Sequence, residues 1–179
     1  MMTTVKTILS VWIGNLGAYN AGILRGDWFD LENYDLDELE TAVNELTNGG
    51  QNDYFIADYS SSYGVEVGEY ESLESLYEKY EIVKDIIDEY GDNAADVIAA
   101  YTNNISDDLN NISSYDFYFY SDCYTMADVA FEYLDQTGGL DEMPEHLRNY
   151  FDYDSYGRDM EIEGNFYYAG GGLYVEIVG

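Results

Sequence analysis

Carboxylate side chains recur at three- and four-residue steps through long stretches of this sequence. Between residues 71 and 88 six of them follow one another at this spacing, and Lys79 and Lys84 are the only cations among them. On a helix such spacing places side chains on one face. Because like charges four residues apart destabilise a helix, the repetition indicates a surface that displays negative charge. The row consists of Glu71, Glu74, Glu78, Glu81, Asp85 and Asp88.

A second group of carboxylates surrounds the start of another predicted helix. Asp35 and Glu38 have the spacing of a capping box, in which each side chain accepts a hydrogen bond from the other residue's backbone. Two adjacent acids, Asp107 and Asp108, lie in a polar segment further along. We take all of these as candidate partner-binding carboxylates. The second group consists of Asp35, Asp37, Glu38, Glu40 and Glu45.

The charge density of these rows can be compared with that of DNA. A helix rises about 1.5 Å per residue, so one row presents a charge every ~4.5–6 Å. B-DNA carries one negative charge per about 1.7 Å of its axis. About three rows side by side would match that density, and the net charge of −31 equals the phosphate charge of roughly fifteen base pairs. The spacing therefore supports the hypothesis of a DNA mimic that occupies a basic DNA-binding groove.

The composition excludes several classes of protein. The chain has 179 residues, with 37 acidic residues against six Lys and Arg, yet 46% of it is hydrophobic and 21 residues are Tyr. A disordered acidic tail would contain few aromatics, and direct binding of nucleic acid or of an anionic membrane needs a basic patch. All the acids lie in residues 27–179. Residues 1–26 carry a charge of +2 and are expected to form core or interface.

Other residue types offer little catalytic chemistry. A single His146 and a single Cys123 cannot build a histidine-rich or zinc site. We interpret Cys123 as a small buried hydrophobe and His146 as an exposed residue at a turn or helix start. A pair of carboxylates spaced for glycoside hydrolysis would arise by chance among 37 acids. We therefore predict no enzyme activity, no cofactor and no metal.

The segment from residue 152 to residue 163 partly matches a calcium-binding EF-hand loop. It has a glycine at the sixth position and a glutamate at the twelfth. However, Tyr156 stands where an oxygen-rich side chain is usual, and Met160–Glu163 alternates like a strand where the motif requires a helix. These departures favour a segment without calcium. The matched positions are Asp152, Asp154, Tyr156, Gly157 and Glu163.

The apolar pattern predicts an α+β chain of small modules that would position these side chains. The first module, residues 1–62, is predicted to be a β-β-α-β unit, with its elements at Thr7–Gly14, Ile23–Leu31, Leu36–Leu46 and Asp53–Tyr59. Turn residues are expected to fill the region from Asn15 to Gly22.

The other two modules are predicted to be a helical one, residues 63–113, and a second α+β one, residues 114–179. The central module contains helices at Glu71–Tyr90 and Ala94–Tyr101, followed by a polar linker at Thr102–Ser114. The C-terminal module contains a strand at Tyr115–Tyr120, a helix at Thr125–Leu134 and a hairpin at Met160–Val178. No segment is apolar enough to span a bilayer and the start lacks the pattern of a signal peptide, so we expect a soluble, cytoplasmic protein.

Two short segments resemble a known family. Near the N-terminus, Asn15-Leu16-Gly17, Tyr19-Asn20, Gly22, Gly26 and Trp28 are similar to the opening of the ArdA family of antirestriction proteins. Near the C-terminus, Phe151-Asp152-Tyr153 and Tyr156-Gly157-Arg158-Asp159 resemble a second segment of that family, with Met160 in place of Leu. The two matches bracket most of the chain.

The resemblance implies a fold and a function. ArdA proteins are encoded on conjugative elements and phages and are elongated homodimers of three small modules that imitate bent B-DNA. They bind the methyltransferase core of type I restriction–modification enzymes, keep DNA out and so evade host defence, without a cofactor. The family's dimer contact lies in its C-terminal module, which points here to residues from Tyr115 onward, around Tyr150 to Asp159.

Two other readings remain open from the sequence. The protein could inhibit a different DNA-handling or defence enzyme, or it could be a salt-adapted acidic protein without a dedicated partner. The salt-adapted reading explains neither the acid-free N-terminus nor the two motifs. Whichever reading holds, like-charge crowding raises the pKa of carboxylates, so we expect raised pKa values along the acidic rows.

Overall fold

The computed structural model describes residues 6–51 and 53–179 and divides the chain into two compact units, residues 1–95 and residues 96–179. It contains two small antiparallel sheets and several helices, which confirms the α+β class. The division into three modules at residues 62 and 113 stays a prediction. None of the helices in the described part of the chain combines the length and the apolarity that a membrane crossing requires.

The first unit is built on a three-stranded sheet with the order β2-β1-β3. Val11 and Ile13 point from the central strand into the core, where Leu39 and Val43 of α2 are also buried. Helix α2 contacts both β1 and α3. The elements are β1 (Ser10–Asn15), α1 (Leu16–Asn20), β2 (Gly26–Asp30), a 3-10 turn (Leu31–Asn33), α2 (Leu36–Leu46), β3 (Tyr54–Ser60), α3 (Leu73–Tyr90) and a second 3-10 turn (Gly91–Asn93).

The second unit is built on a sheet with the order β4-β6-β5. Helices α5 and α8 pack closely against each other, and Met126 and Val129 of α5 join Tyr120 and Cys123 in the core. The elements are α4 (Ala94–Asn104), which begins at the end of the first unit, a 3-10 helix (Leu109–Ser114), β4 (Asp116–Ser121), α5 (Met126–Gln136), α6 (Gly139–Glu142), α7 (Glu145–Arg148), α8 (Tyr153–Glu163), β5 (Asn165–Gly170) and β6 (Leu173–Val178).

Three sequence predictions are wrong. Residues 16–20 form a short helix and not a turn, because the Asn15 side chain caps it. The predicted linker at residues 102–114 contains the end of α4 and a 3-10 helix that buries Leu109 and Ile112. Met160–Glu163 is the end of α8 and not the start of a hairpin, since Asp152 caps a helix that continues through these residues.

Candidate functional site

The α3 helix separates an apolar face from a carboxylate face. Ser72 caps its first turn, and Gly91, with φ at +57°, ends it. The buried residues follow three- and four-residue steps, and the carboxylates fill the opposite side. Glu74, Glu78, Asp85 and Asp88 are exposed and Glu81 is half-buried. The predicted row is therefore displayed on one helix. The buried set is Leu73, Leu76, Tyr80, Val83 and Ile86.

Positive charge compensates very few of the carboxylates. All 37 acids lie within the described residues, and only three of them have an ion-pair partner there. On α3, Lys84 lies 3.7 Å from Glu81 (Nζ to Oε1). In the second unit, Arg148 lies 3.4 Å from Asp141 (Nη2 to Oδ1). Most of the negative charge thus faces solvent without a partner.

Glu71 differs from the rest of its row. It precedes α3, and its side chain is only 12% exposed. The Lys79 ammonium lies 2.6 Å from one oxygen, and the Ser75 hydroxyl and the Gly68 amide donate to the carboxylate at 2.7 and 2.9 Å. Burial raises the pKa of Glu71, but these hydrogen bonds outweigh it and the net pKa is lowered. The expectation of a raised pKa is wrong for Glu71, which ties together the residues before and within α3.

The second group of carboxylates lies on and before α2. The Asp35 side chain accepts from the Glu38 amide at 2.8 Å, and the Glu38 side chain accepts from the Asp35 amide at 3.0 Å, so the predicted capping box is confirmed. Asp37, Glu40 and Glu45 are exposed along the helix. Two of the five acids thus have a local structural task as well as a charge.

The structure brings part of the two groups together around Tyr77 of α3. Burial raises the pKa of the Tyr77 hydroxyl, and the nearby Glu81 carboxylate raises it further. Asp35 and Glu38, from the start of α2, also raise the Tyr77 pKa, whereas Lys84 lowers it. Because α2 contacts α3, the start of α2 adds carboxylates beside the α3 row.

Asp107 and Asp108 lie in the second unit and are both exposed. The Asp108 side chain accepts from the Asn110 amide at 3.0 Å and caps the 3-10 helix that follows. Sequence reasoning did not place the exposed acids of α8 on a helix or among the partner-binding carboxylates, because it took the end of that helix for a strand. The signal was Asp152, whose side chain accepts from the Ser155 amide as an N-cap. This set consists of Asp154, Asp159, Glu161 and Glu163.

The N-terminal motif residues are largely structural. Asn15 is fully buried, and its side chain accepts from the Ala18 amide at 2.8 Å and donates to the Leu46 carbonyl at 2.9 Å. It therefore links the start of α1 to the end of α2. Trp28 pairs with Trp12 across the sheet and is 46% exposed.

The rest of this motif surrounds α1. Tyr19 is 56% exposed, and its ring centroid lies 5.1 Å from that of Phe55. Gly17 lies inside α1, and the exposed Asn20 ends it. Gly22 has φ at +79°, a left-handed conformation that a glycine adopts without strain.

The C-terminal motif shapes the contact between α8 and α5. Gly157 is buried, and a Cβ there would lie 2.5 Å from the Met126 carbonyl carbon and 2.9 Å from the Ala127 nitrogen. Only glycine permits this close approach. Tyr153 packs edge-on against Phe151, with ring centroids 4.9 Å apart. Arg158 and Asp159 are exposed on the outer side of α8.

The partial EF-hand match falls on helix α8 and its N-cap. Tyr153–Glu163 is helical throughout, so its acids do not curl around a common point. Within the described ranges, no group of three His, Cys, Asp or Glu side chains is arranged to hold a metal. The lowered pKa of Asp152 comes first from its hydrogen bond with the Ser155 side chain and then from the Ser155 amide. The Asp152 carboxylate thus serves as a helix cap.

Cys123 and His146 lie in different surroundings. Cys123 is buried in the core of the second unit, and burial raises the pKa of its thiol above the ordinary value. A raised thiol pKa keeps the sulfur protonated and a poor nucleophile. His146 is exposed in the short helix α7, as expected.

The chain matches a model of a known protein family. The family model described as "Antirestriction protein (ArdA)" matches residues 11–175, nearly the whole chain. No curated protein gives a significant match. The matched range contains both motif segments and every candidate carboxylate.

Proposed function

Since the chain belongs to the ArdA family of antirestriction proteins, we propose that it is a DNA mimic that occupies the DNA-binding groove of type I restriction–modification enzymes. The partner surface is the methyltransferase and specificity core of such an enzyme. Bound there, the protein blocks both restriction and modification by excluding DNA. It acts by binding and not by catalysis, in the cytoplasm of a bacterial host, and protects an incoming mobile element.

The observation that carries this proposal is the exposed carboxylate row of α3. The helix has 18 residues, which corresponds to a length of about 27 Å. B-DNA of that length carries about 16 phosphate charges. The row supplies four exposed carboxylates, Glu74, Glu78, Asp85 and Asp88, which is roughly a quarter of that number. Glu81 is half-buried and paired with Lys84, and the α2 acids lie nearby. Adjacent rows are needed to reach the density of DNA.

The scarcity of ion pairs supports the same proposal. A salt-adapted surface needs acids in number, but a charge-based mimic also needs them free of fixed protein cations, so that a basic partner displaces only mobile counterions, as it does on DNA. Here three of the six Lys and Arg form ion pairs within the described residues, and Arg25 donates to the Asn48 side chain at 2.7 Å. Negative potential of this size also steers a basic partner and raises its association rate.

We further propose that the protein works as a homodimer through its C-terminal part, around Tyr150 to Asp159. Apolar side chains are exposed in this region: Tyr150 is 84% exposed and Leu147 is 45% exposed. Phe131 of α5, 48% exposed, packs edge-on against Tyr153. Exposed aromatic surface in an acidic protein favours contact with another apolar surface. Light scattering would give twice the mass of 20.4 kDa.

Competition with DNA tests the proposed mimicry. A type I enzyme bound to a fluorescent duplex is titrated with the protein, and polyglutamate at the same carboxylate concentration is the control for unspecific acid. The protein should displace the duplex at far lower concentration than polyglutamate. Equal displacement by both would contradict the mimicry. Displacement of DNA only from an unrelated DNA-handling enzyme would favour the inhibitor of another defence system.

A further inference from the structure

A cleft of 440 Å³ follows strand β3 of the first unit. Its volume lies in the range of about 300–1,000 Å³ that is typical of ligand pockets. Strand β3 is an edge strand, and the Ile56 amide donates to the Glu69 carbonyl at 2.8 Å. This bond holds the following loop against the strand. The cleft is lined by apolar Phe55, Ile56 and Val67 and by polar Asp58, Tyr59 and Glu69.

The polar groups of the cleft are negative or aromatic. Asp58 and Glu69 are exposed, and no cation lies within ion-pair distance of either in the described chain. The Asp58 carboxylate accepts from the Tyr59 amide at 2.9 Å. The neighbouring Glu69 carboxylate raises the pKa of the Tyr70 hydroxyl. Tyr59 is 41% exposed. The carboxylates keep lone pairs for an added donor.

This combination of groups fits a cation that carries an apolar stem. Arginine buries its methylenes along apolar surface while its guanidinium stays charged. The guanidinium also stacks on aromatic rings and donates forked hydrogen bonds to carboxylates. The lysine ammonium is a compact and strongly hydrated point charge, so it stacks less favourably on an aromatic ring and cannot donate forked hydrogen bonds to a carboxylate.

We propose that the β3 cleft binds an arginine side chain of the partner's basic groove, with the guanidinium between Asp58 and Glu69. The identity of the partner rests on the proposed function, but the preference for arginine is a property of the cleft. The contact would add a specific anchor to a surface whose other carboxylates act through charge density.

The cleft is tested on the full chain without a partner, with N-acetyl-arginine amide as the probe. Amide chemical shifts of labelled protein are followed at constant ionic strength, with N-acetyl-lysine amide as the second probe. Saturable shifts should concentrate at residues 55–59 and 67–69, and arginine should bind several-fold more tightly than lysine. The double variant Asp58→Asn, Glu69→Gln should weaken arginine binding about fivefold.

The matched control is Glu32→Gln, Asp92→Asn, which removes two charges from exposed positions of the first unit that belong neither to the cleft nor to the candidate carboxylate groups. It should change the arginine affinity by less than about twofold. A third variant, Tyr59→Leu, should weaken binding while leaving the charge unchanged. Shifts spread evenly over the acidic surface, equal binding of the two probes, or equal loss in both double variants would overturn the proposal.

A second measurement separates this proposal from the proposed function. In the DNA competition assay, the cleft double variant should be weaker than its matched control. If the wild-type chain does not displace DNA but the cleft still prefers arginine, the DNA mimicry fails and the cleft proposal stands. If the chain displaces DNA but the cleft shows no preference, only the cleft proposal fails.

Discussion

Helices α3 and α8 carry acids in two different ways. On α3 the carboxylates form a regular row opposite the buried face, and Lys79 and Lys84 are the only cations along the helix. On α8 the acids share the surface with Arg158, and the helix is held against α5 by the contact at Gly157. The charge display of α3 requires only that carboxylates recur at helical spacing. The position of α8, in contrast, requires one close contact between Gly157 and the α5 backbone.

The difference explains why the recognisable motifs and the proposed active surface do not coincide. Gly157 lies where no Cβ fits, and Asn15 uses both its amide oxygen and its amide nitrogen. Asp152 caps α8, which restricts its position to a short polar side chain. A carboxylate that contributes to a field can be moved by a turn or exchanged between Asp and Glu with little loss. Motifs should therefore control stability, and rows should control binding.

Replacing Gly157 by Ala should give the largest loss of stability. The new methyl group would meet the α5 backbone at Met126 and Ala127, which no rotamer change can relieve. We expect the free energy of unfolding to fall by about 3 kcal/mol, measured by urea denaturation. The control Ile162→Ala, at an α8 position that is 75% exposed, should change it by less than about 0.5 kcal/mol. Equal effects would contradict a special role for Gly157.

Replacing Asn15 by Ala should have the next largest effect. The variant loses the cap at Ala18 and leaves the Leu46 carbonyl without its donor. We expect a loss of about 2 kcal/mol in the free energy of unfolding. Asn20→Ala, at an exposed position of the same short helix, is the control and should cost much less. If both variants lose the same free energy of unfolding, Asn15 does not link α1 to α2.

The periodic row and the motif contacts also differ in how well the sequence predicts them. The α3 pattern is periodic over many residues, so both of its faces could be predicted. The α8 pattern is interrupted by Gly157 and ends in residues that alternate like a strand, and the close approach to Met126 depends on a distant segment. Leu109 and Ile112 were missed for a similar reason, because two apolar residues in a polar segment give no period. The β3 cleft depends on the pairing of Ile56 with Glu69, which no local pattern indicates.

Glu71 gives a test with a smaller expected effect. It belongs to the acidic row, but it makes specific contacts to Lys79, Ser75 and Gly68, as the motif residues make to their neighbours. Its pKa is lowered in the folded state, so its contribution to stability is complete above the ordinary glutamate pKa of about 4.3 and is lost as the pH falls through the lowered value. Glu71→Gln should cost about 1 kcal/mol at pH 7 and less at pH 3.

The comparison variant for Glu71 is Glu74→Gln, which removes an exposed charge from the start of α3. It should not show this loss at pH 7. Unfolding is measured at both pH values for both variants. If the two variants behave alike, the bonds from Lys79, Ser75 and Gly68 do not set Glu71 apart from the row.

Neutralising the middle of the α3 row should have the smallest effect on stability. Unlike the other variants, this one should be more stable than the wild-type chain. The double variant Glu78→Gln, Asp85→Asn removes like-charge neighbours at three- and four-residue spacing, so the free energy of unfolding should rise by about 0.5 kcal/mol at low salt. The gain should shrink at high salt, where the repulsion is screened. The matched double variant on α8, Asp159→Asn and Glu161→Gln, should show less gain, because Arg158 precedes Glu161 by three residues on that helix and offsets the repulsion there.

Binding should respond in the opposite way to stability. If Glu78 and Asp85 stand in for phosphates, their loss should weaken displacement of DNA and lower the slope of log affinity against log salt by about two. The Gly157→Ala variant, where it remains folded, should keep the wild-type slope. A row variant with unchanged slope would mean that Glu78 and Asp85 do not stand in for phosphates. A Gly157→Ala variant with altered slope would mean that the α5–α8 contact also positions charge, and the division between motif and row would not hold.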